Sequence, residues 1–370
     1  MTHIVDSCVL TELAPSGVGL ITLNRPKVLN ALSLEMIRHL TRVLQDWRTD
    51  PAVKAVALRG MGKAGDGFAP FGAFCAGGDI RFFHQAALSG DPSLEAFFTE
   101  EYALNHLIHT YGKPCIALMD GVVMGGGMGI SQGSTLRVVT ERTQMAMPET
   151  RIGFFPDASG GYFLSRTSGR LGEWLALTGH LLKGSEAVAA TLADGCVHSA
   201  DLPRLWQHLI QTPWSEGEAA QDWMASQFIA DDAVNVIDAK DQIEHVFSQP
   251  TIEQILSTLE SLNTDWARQT MQELRACSPL MLHVTLEYIR RARNMGLAEE
   301  LRMERDLSHH CFHLRSGAEN ETIEGIRALV VDKDQSPRWR PSCVKDITPD
   351  MVTPFFTSPW ESTAHPLAML

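Results

Sequence analysis

An α/β fold followed by a largely helical C-terminal region is what this sequence predicts, and three observations carry that expectation. Strand-like and helix-like patterns alternate from Gly17 to about His198. Two glycine clusters, Ala76-Gly77-Gly78 and Gly125-Gly126-Gly127, each follow a strand-like run and precede a helix start. From Leu202 to Leu329 the apolar spacing is almost wholly helical. Two regions follow, residues 1–199 as an α/β core and residues 200–370 as a helical region packing on it, with no Pro-, Gly- or Ser-rich linker at the junction.

Taken in order, Gly17 to Asn24 reads as a strand ending at Arg25-Pro26. Ser33 is a good N-cap for a helix with Met36, Ile37, Leu40, Val43, Leu44 and Trp47 at helical spacing. Val53 to Leu58 is a buried strand, and a glycine-rich loop from Gly60 to Gly72 leads into Ala73-Phe74-Cys75. A helix starting near Pro92-Ser93 carries Phe97, Glu101, Leu104, Ile108 and Tyr111 on one face. A β-like run is expected at Pro114–Met119, followed by apolar runs at Leu136–Thr140 and Gln144–Met147 and a further β-like segment at Ile152–Phe155. Gly169–Gly179 and Ser185–Ala193 read as helices and Cys196–His198 as a short strand. Helical stripes recur at Ile252, Ile255, Leu256 and Leu259 and at Leu282, Leu286 and Ile289. The irregular tail is expected to pack back through Trp339, Phe355 and Phe356.

Composition excludes several classes. A net charge of -13 argues against general affinity for nucleic acid. No apolar run approaches the length of a membrane span. The seven cysteines show no ligand spacing, so reduced thiols are expected, with Cys75 and Cys115 as packed core residues. Residues 1–6 lack the pattern of a secretory signal, and Ala368-Met369-Leu370 lacks the basic residue of a peroxisomal address, so a cytoplasmic location is the default expectation.

The chemistry concentrates between Lys113 and Arg166. A strand, a glycine elbow and a helix start present backbone N–H groups to an oxygen bearing negative charge, and acids shortly after such a site are candidates for nucleophile or general acid/base. Those acids are Glu149 and Asp157; read singly, Glu149 is otherwise a surface acid and Asp157 otherwise a helix cap. The glycine clusters are either tight turns or two halves of an oxyanion clamp. Glu101 is the one charge in its apolar stripe, so it either reaches water at a boundary or is functional. The Gly60, Gly62, Gly65 pattern opens no amphipathic helix, which counts against a dinucleotide site. Ser131 matches G-x-S-x-G but reads as a helical serine. Asp306, His309, His310 and His313 fall at helical spacing, yet no second ligand segment is in view, so no metal is expected.

In order along the chain, AFCAGGDIR, KPCIALMDGVVMGGGMGIS, MAMPETRIGFFPDASGGYFLSR, LALTGHLLKG, SPLMLHVTLEYIRRARNMGLAEELRMERDLSHH and EGIRALVVDKDQSPRWRP resemble the enoyl-CoA hydratase/isomerase (crotonase) superfamily. The similarity is greatest to its 3-hydroxyisobutyryl-CoA hydrolase group. That resemblance implies a crotonase fold of repeated ββα units with an all-helical C-terminal extension. It implies an acyl-CoA thioester as substrate, with CoA arriving as part of it and no separate cofactor. By motif position the oxyanion donors would be the N–H groups of Gly78 and Gly126. Glu149 of MPE and Asp157 of FPD would be the catalytic pair, and Glu101 of EEY would contact substrate. The reaction implied is hydrolysis of a short branched 3-hydroxyacyl-CoA, as in valine breakdown. The alternatives are a hydratase or isomerase of the same fold and a non-catalytic CoA-binding scaffold. Crotonases commonly form trimers, so a homo-oligomer is one expectation and a monomer whose C-terminal helices cover that surface is the other.

Four positions depart from the family's patterns. Gly129 occupies the place of the hydratases' first glutamate, which disfavours water addition to a double bond. The loop between Gly62 and Gly72 is long, Ser159 stands where the hydrolase group has glycine, and Asn320-Glu321-Thr322-Ile323 replaces an aromatic-bearing segment. Arg25 and Lys27 are either partners for CoA phosphates or part of a solvated turn.

Overall fold

The structure, a computed structural model, describes residues 7–65, 67, 69–229 and 239–370. The reading of residues 1–6 therefore lies outside the described residues, as do residues 66 and 68 of the long loop and residues 230–238 of the helical run. The chain forms two compact units: residues 1–78, 104–145 and 181–236 make one, and residues 79–103, 146–180 and 237–370 the other. Both the 1–199 and the 200–370 portions contribute to each unit.

The first unit holds the strands: β1 (Val9–Leu13), β2 (Val18–Leu23), β3 (Ala55–Gly60), β4 (Ala73–Cys75), β5 (Cys115–Met119), β6 (Val122–Met124), β7 (Leu136–Thr140), β8 (Gln144–Ala146), β9 (Leu182–Lys183) and β10 (Gly195–Val197). They form a six-stranded sheet in the order β1-β2-β3-β5-β7-β10 and a four-stranded sheet in the order β4-β6-β8-β9. Only β1 runs antiparallel in the larger sheet. Sequence order explains the pairing. A strand enters the large sheet, the next enters the small one, and a helix follows: β3 and β4 precede Ile80–Ser89, and β5 and β6 precede Gly126–Gln132. This is the repeated ββα unit.

Strands of a sheet covered on both faces read as continuous apolar runs, and β2 and β5 are buried along their whole length. On one face Leu20, Ile116 and Val138 pack with Leu205, Trp206 and Leu209 of the Leu202–Gln211 helix. The Leu34–Thr49 helix starts where expected, with Ser33 Oγ accepting from Met36 N.

The second unit is helical. Thr251 caps Ile252–Leu262 and Ser278 caps Pro279–Ala292, whose Leu282, Leu286 and Ile289 are all buried. Phe82, Phe83, Phe97, Phe98, Phe154 and Phe312 form one aromatic cluster with centroid spacings from 4.7 to 6.5 Å. Of the three tail residues expected to pack back, Phe355 is buried and the Phe356 ring centroid lies 4.3 Å from the Arg291 guanidinium, while Trp339 is half-buried.

One element differs in kind. The segment expected to be β-like at Ile152–Phe155 is not a strand. Glu149–Ile152 makes a 3-10 turn, and Gly153 ends it at φ 68°. Gly153 is packed so tightly against the main chain of Glu321 that an added Cβ would lie 2.2 Å from its carbonyl oxygen. The apolar run is satisfied by helix and aromatic packing, and no sheet edge is used.

Candidate active site

In the first unit, β4 and β6 are adjacent and parallel, with Ala73 opposite Val122 and Cys75 opposite Val123. Parallel neighbours end at the same side, so the glycine turns that follow them meet. A Cβ built on Gly77 (φ +93°) would stand 3.1 Å from Met124 O and 3.5 Å from Gly126 N. One on Gly127 would stand 2.4 Å from Cys75 O. Neither position accommodates a side chain without backbone movement. Gly126 is the first residue of the Gly126–Gln132 helix, so its N–H is one the helix itself leaves unpaired. Gly78 is fixed by a parallel bridge to Leu32, whose N–H donates to Gly77 O at 2.8 Å. The clusters expected to work together are therefore brought together. Ser131 is the helical serine it was read as, donating to Gly127 O at 2.9 Å. Cys75 and Cys115 are buried thiols, and burial pushes Cys115 up to about 11. Arg25 donates to Ala31 O at 2.6 Å, while Lys27 is exposed.

The three candidate acids lie in the second unit and all are buried. Glu101 is 2% exposed on the Ser93–His109 helix, which removes the reading in which it reaches water. On the same helix Phe98 packs against Phe154, with 5.7 Å between ring centroids. Glu149 opens the 3-10 turn. That turn is held from several sides: Phe154 N donates to Glu149 O, Ser278 N to Thr150 O, and Thr322 Oγ1 to Gly153 O. The last contact comes from the departing 320–323 segment, where Asn320 caps a short helix by accepting from Ile323 N.

Asp157 does not cap the Gly160–Leu164 helix with its side chain; Ser159 is the N-cap residue and only Asp157's carbonyl bonds Gly160 N. Its carboxylate instead accepts from Tyr102 Oη at 2.8 Å. Two consecutive left-handed residues, Ala158 (φ 56°) and Ser159 (φ 65°), turn the chain behind it. That backbone explains why glycine suits the position of Ser159.

Electrostatics separates these acids from ordinary carboxylates. Burial pushes Glu101 well above its usual value, and the charges of Asp157, Glu304 and Glu149 push it further. Glu149 is raised by burial and then by Asp157, against a backbone hydrogen bond that lowers it. Asp157 is raised to about 8 by burial and Glu304, against the Tyr102 hydrogen bond. Glu101 Oε1 and Glu149 Oε2 are buried and accept no hydrogen bond from the described chain. Such an arrangement holds protons at neutral pH and can exchange them with a reacting group.

Sequence reasoning missed Tyr102, Tyr288, Glu300 and Glu304. One signal was present, since Glu300, Glu304, Leu307 and Cys311 are spaced four, three and four apart and all are buried. The histidine group read for a metal divides. Asp306 takes Ser358 Oγ at 2.8 Å, and His310 Nε2 lies 2.7 Å from Thr357 O. His309 and His313 reach Glu95 at 3.2 and 2.7 Å, which supplies the second segment the sequence did not reveal. Arg305 already occupies that carboxylate. Burial would raise Glu95, but the hydrogen bonds of His309 and His313, together with Arg305, outweigh it and hold the carboxyl far below its usual range. The cluster is an ion-pair knot with a cation in place.

Among the described residues no helix is long and apolar enough to cross a membrane. A mitochondrial 3-hydroxyisobutyryl-CoA hydrolase of Xenopus laevis is 40% identical over 356 residues, 95% of this chain and 89% of the relative. The Homo sapiens mitochondrial 3-hydroxyisobutyryl-CoA hydrolase is 38% identical over 345 residues, 92% and 86%. Among solved structures, a carnitinyl-CoA dehydratase from Mycobacterium thermoresistibile superposes with a TM-score of 0.85 at 34% identity, covering 95% of this chain and 96% of that one. An enoyl-CoA hydratase from Rhodobacter sphaeroides 2.4.1 gives 0.84 at 33%, covering 95% and 98%. Residues 18–356 match the enoyl-CoA hydratase/isomerase family, so the crotonase fold that the resemblance implied is the fold observed, and the chain belongs to that family.

Proposed function

We propose that this chain hydrolyses the thioester of a short branched 3-hydroxyacyl-CoA, converting 3-hydroxyisobutyryl-CoA to 3-hydroxyisobutyrate and CoA, a step of valine catabolism. The observation that carries this reading is likeness along nearly the whole chain to curated 3-hydroxyisobutyryl-CoA hydrolases. The buried acids supply the chemistry. In this reading the amides of Gly78 and Gly126 receive the thioester oxygen, whose charge grows as the carbonyl is attacked. Glu149, in its ionised form, either attacks the carbonyl carbon and displaces the CoA thiolate, forming a mixed anhydride that water cleaves, or takes a proton from the attacking water. Asp157, protonated at neutral pH, donates to the departing thiolate or to the 3-hydroxyl, and Glu101 positions that hydroxyl or the water. The reaction draws on these groups alone, and CoA enters as part of the substrate. Oxygen-18 appearing in the Glu149 carboxylate after one turnover in labelled water selects an anhydride cleaved at the Glu149 carbonyl, and its absence counts against that route.

The hydratase reading is favoured by the names of the solved neighbours and opposed by Gly129, which offers no carboxylate at the hydratases' first position. A thiol-release screen over acyl-CoAs with and without a 3-hydroxyl tests the substrate class, and preference for acyl groups lacking the hydroxyl would count against it. The curated relatives are named mitochondrial, so they give the cytoplasmic expectation no support. Homo-oligomerisation belongs to the same proposal and is checked by sedimentation.

A further inference from the structure

Beside the Ala158-Ser159 turn that follows Asp157, the second unit buries a further pair of carboxylates joined by a phenol. Gly161 N donates to Tyr288 Oη at 2.5 Å. The same oxygen lies 2.7 Å from Glu300 Oε1 and 2.5 Å from Glu304 Oε1. The other oxygen of Glu304, Oε2, accepts from Ser159 N at 2.9 Å. All three side chains are fully buried.

Counting hydrogens constrains this arrangement. A phenol oxygen carries one hydrogen and two acceptor sites. The Gly161 N–H fills one acceptor site, which leaves one hydrogen and one acceptor site for two carboxyl oxygens. Two carboxylates would compete for a single hydrogen and leave a buried charge unpaired. The count closes when one of Glu300 and Glu304 is a carboxylic acid, donating to Tyr288 or to its neighbour, and the other is a carboxylate that takes the remaining hydrogen.

We infer that Glu304 is a positioning residue for Asp157: it ties down the left-handed Ala158-Ser159 turn and shares one proton with Glu300 through Tyr288, so that its charge sets the pH at which Asp157 ionises. The inference rests on the proposed hydrolase reading for its kinetic consequence, though not for its geometry. Asp157 is faced by Glu101 and Tyr102 from one helix, Glu149 from the 3-10 turn, and Glu304 and Cys311 from the Leu297–His313 helix. Glu300 additionally feels Arg166. Burial raises both Glu300, to about 7, and Glu304.

Two near-isosteric variants push the shared proton in opposite directions. In E304Q the amide oxygen keeps Ser159 N, the amide nitrogen supplies the hydrogen to Tyr288, and the like charge beside Asp157 is gone for good. In E300Q the amide supplies that hydrogen instead, so Glu304 takes the phenol hydrogen and stays ionised at lower pH. The experiment records kcat/KM against pH with 3-hydroxyisobutyryl-CoA for wild type, E304Q and E300Q, with melting temperatures alongside. The limb set by Asp157 moves to lower pH by about one unit in E304Q and to higher pH in E300Q, whichever form of Asp157 reacts. Superimposable profiles, or shifts of the same sign, overturn the inference; if one variant does not fold, the sign in the other decides. Infrared titration of the protonated-carboxyl band in the same proteins, without substrate, reads the same opposed shifts. Wild-type protein that releases no thiol therefore refutes the hydrolase reading while this test still returns an answer.

Discussion

Tyr102 donates its hydroxyl hydrogen to Asp157 across 2.8 Å, and both residues are buried in the helical unit. The bond favours the charged carboxylate, whereas burial and Glu304 favour the protonated one. Asp157 is thus held near neutrality by opposing influences, and several expectations follow from their signs.

Removing the hydroxyl in Y102F takes away a contact that lowers the pKa of Asp157, so that pKa rises further above about 8. The corresponding limb of the kcat/KM profile moves to higher pH. A profile that stays in place would show that Asp157 does not govern that limb.

Stability carries the same sign information. Asp157 titrates near 3.8 when unfolded and at about 8 when folded, so between those values the folded state binds more protons. Its contribution is therefore lost as pH rises through that window. D157N has no such proton to lose, and its melting temperature relative to wild type climbs from pH 4 toward pH 8. A constant difference across the window would contradict the raised value.

The oxyanion turn is tested by G127A. The added Cβ would stand 2.4 Å from Cys75 O, so the main chain carrying the Gly126 amide must shift. Loss of one oxyanion donor costs about 10²–10³ in kcat, with a smaller effect on KM. Unchanged kcat in a folded G127A protein would remove Gly126 from the mechanism.

Ser159 sits at φ 65° with no exposed surface. Glycine is at ease there and a β-branched residue is not. S159G is tolerated with a change of about 1 kcal/mol or less, while S159V costs about 2 kcal/mol or more, measured by denaturant unfolding.

Much of this was legible in the residues because local chemistry and tertiary structure agree. The Ser33 cap, the buried run at Cys115–Met119 and the glycine turns each specify their own conformation. Glu149 and Asp157 stood out as acids shortly after the glycine elbow and Glu101 as the one charge in its stripe, and periodicity alone left Glu101 open, because spacing says which face a residue occupies but not whether that face is covered. The apolar run at Ile152–Phe155 misled for the same reason: a short apolar stretch satisfies a strand or a packed turn equally. The bond from Tyr102 to Asp157 and the Glu304–Ser159 tie join residues 55 and 145 positions apart, and no local pattern encodes them.

The central claim is that this chain cleaves a thioester and that Glu149 carries the reaction. The direct measurement is steady release of free thiol from 3-hydroxyisobutyryl-CoA, run beside hydration of crotonyl-CoA and repeated with E149A. The account predicts thiol release without hydration, and a loss in E149A of at least about 10³-fold with substrate binding retained. Hydration of crotonyl-CoA without thiol release, or an E149A protein as active as wild type, would contradict it.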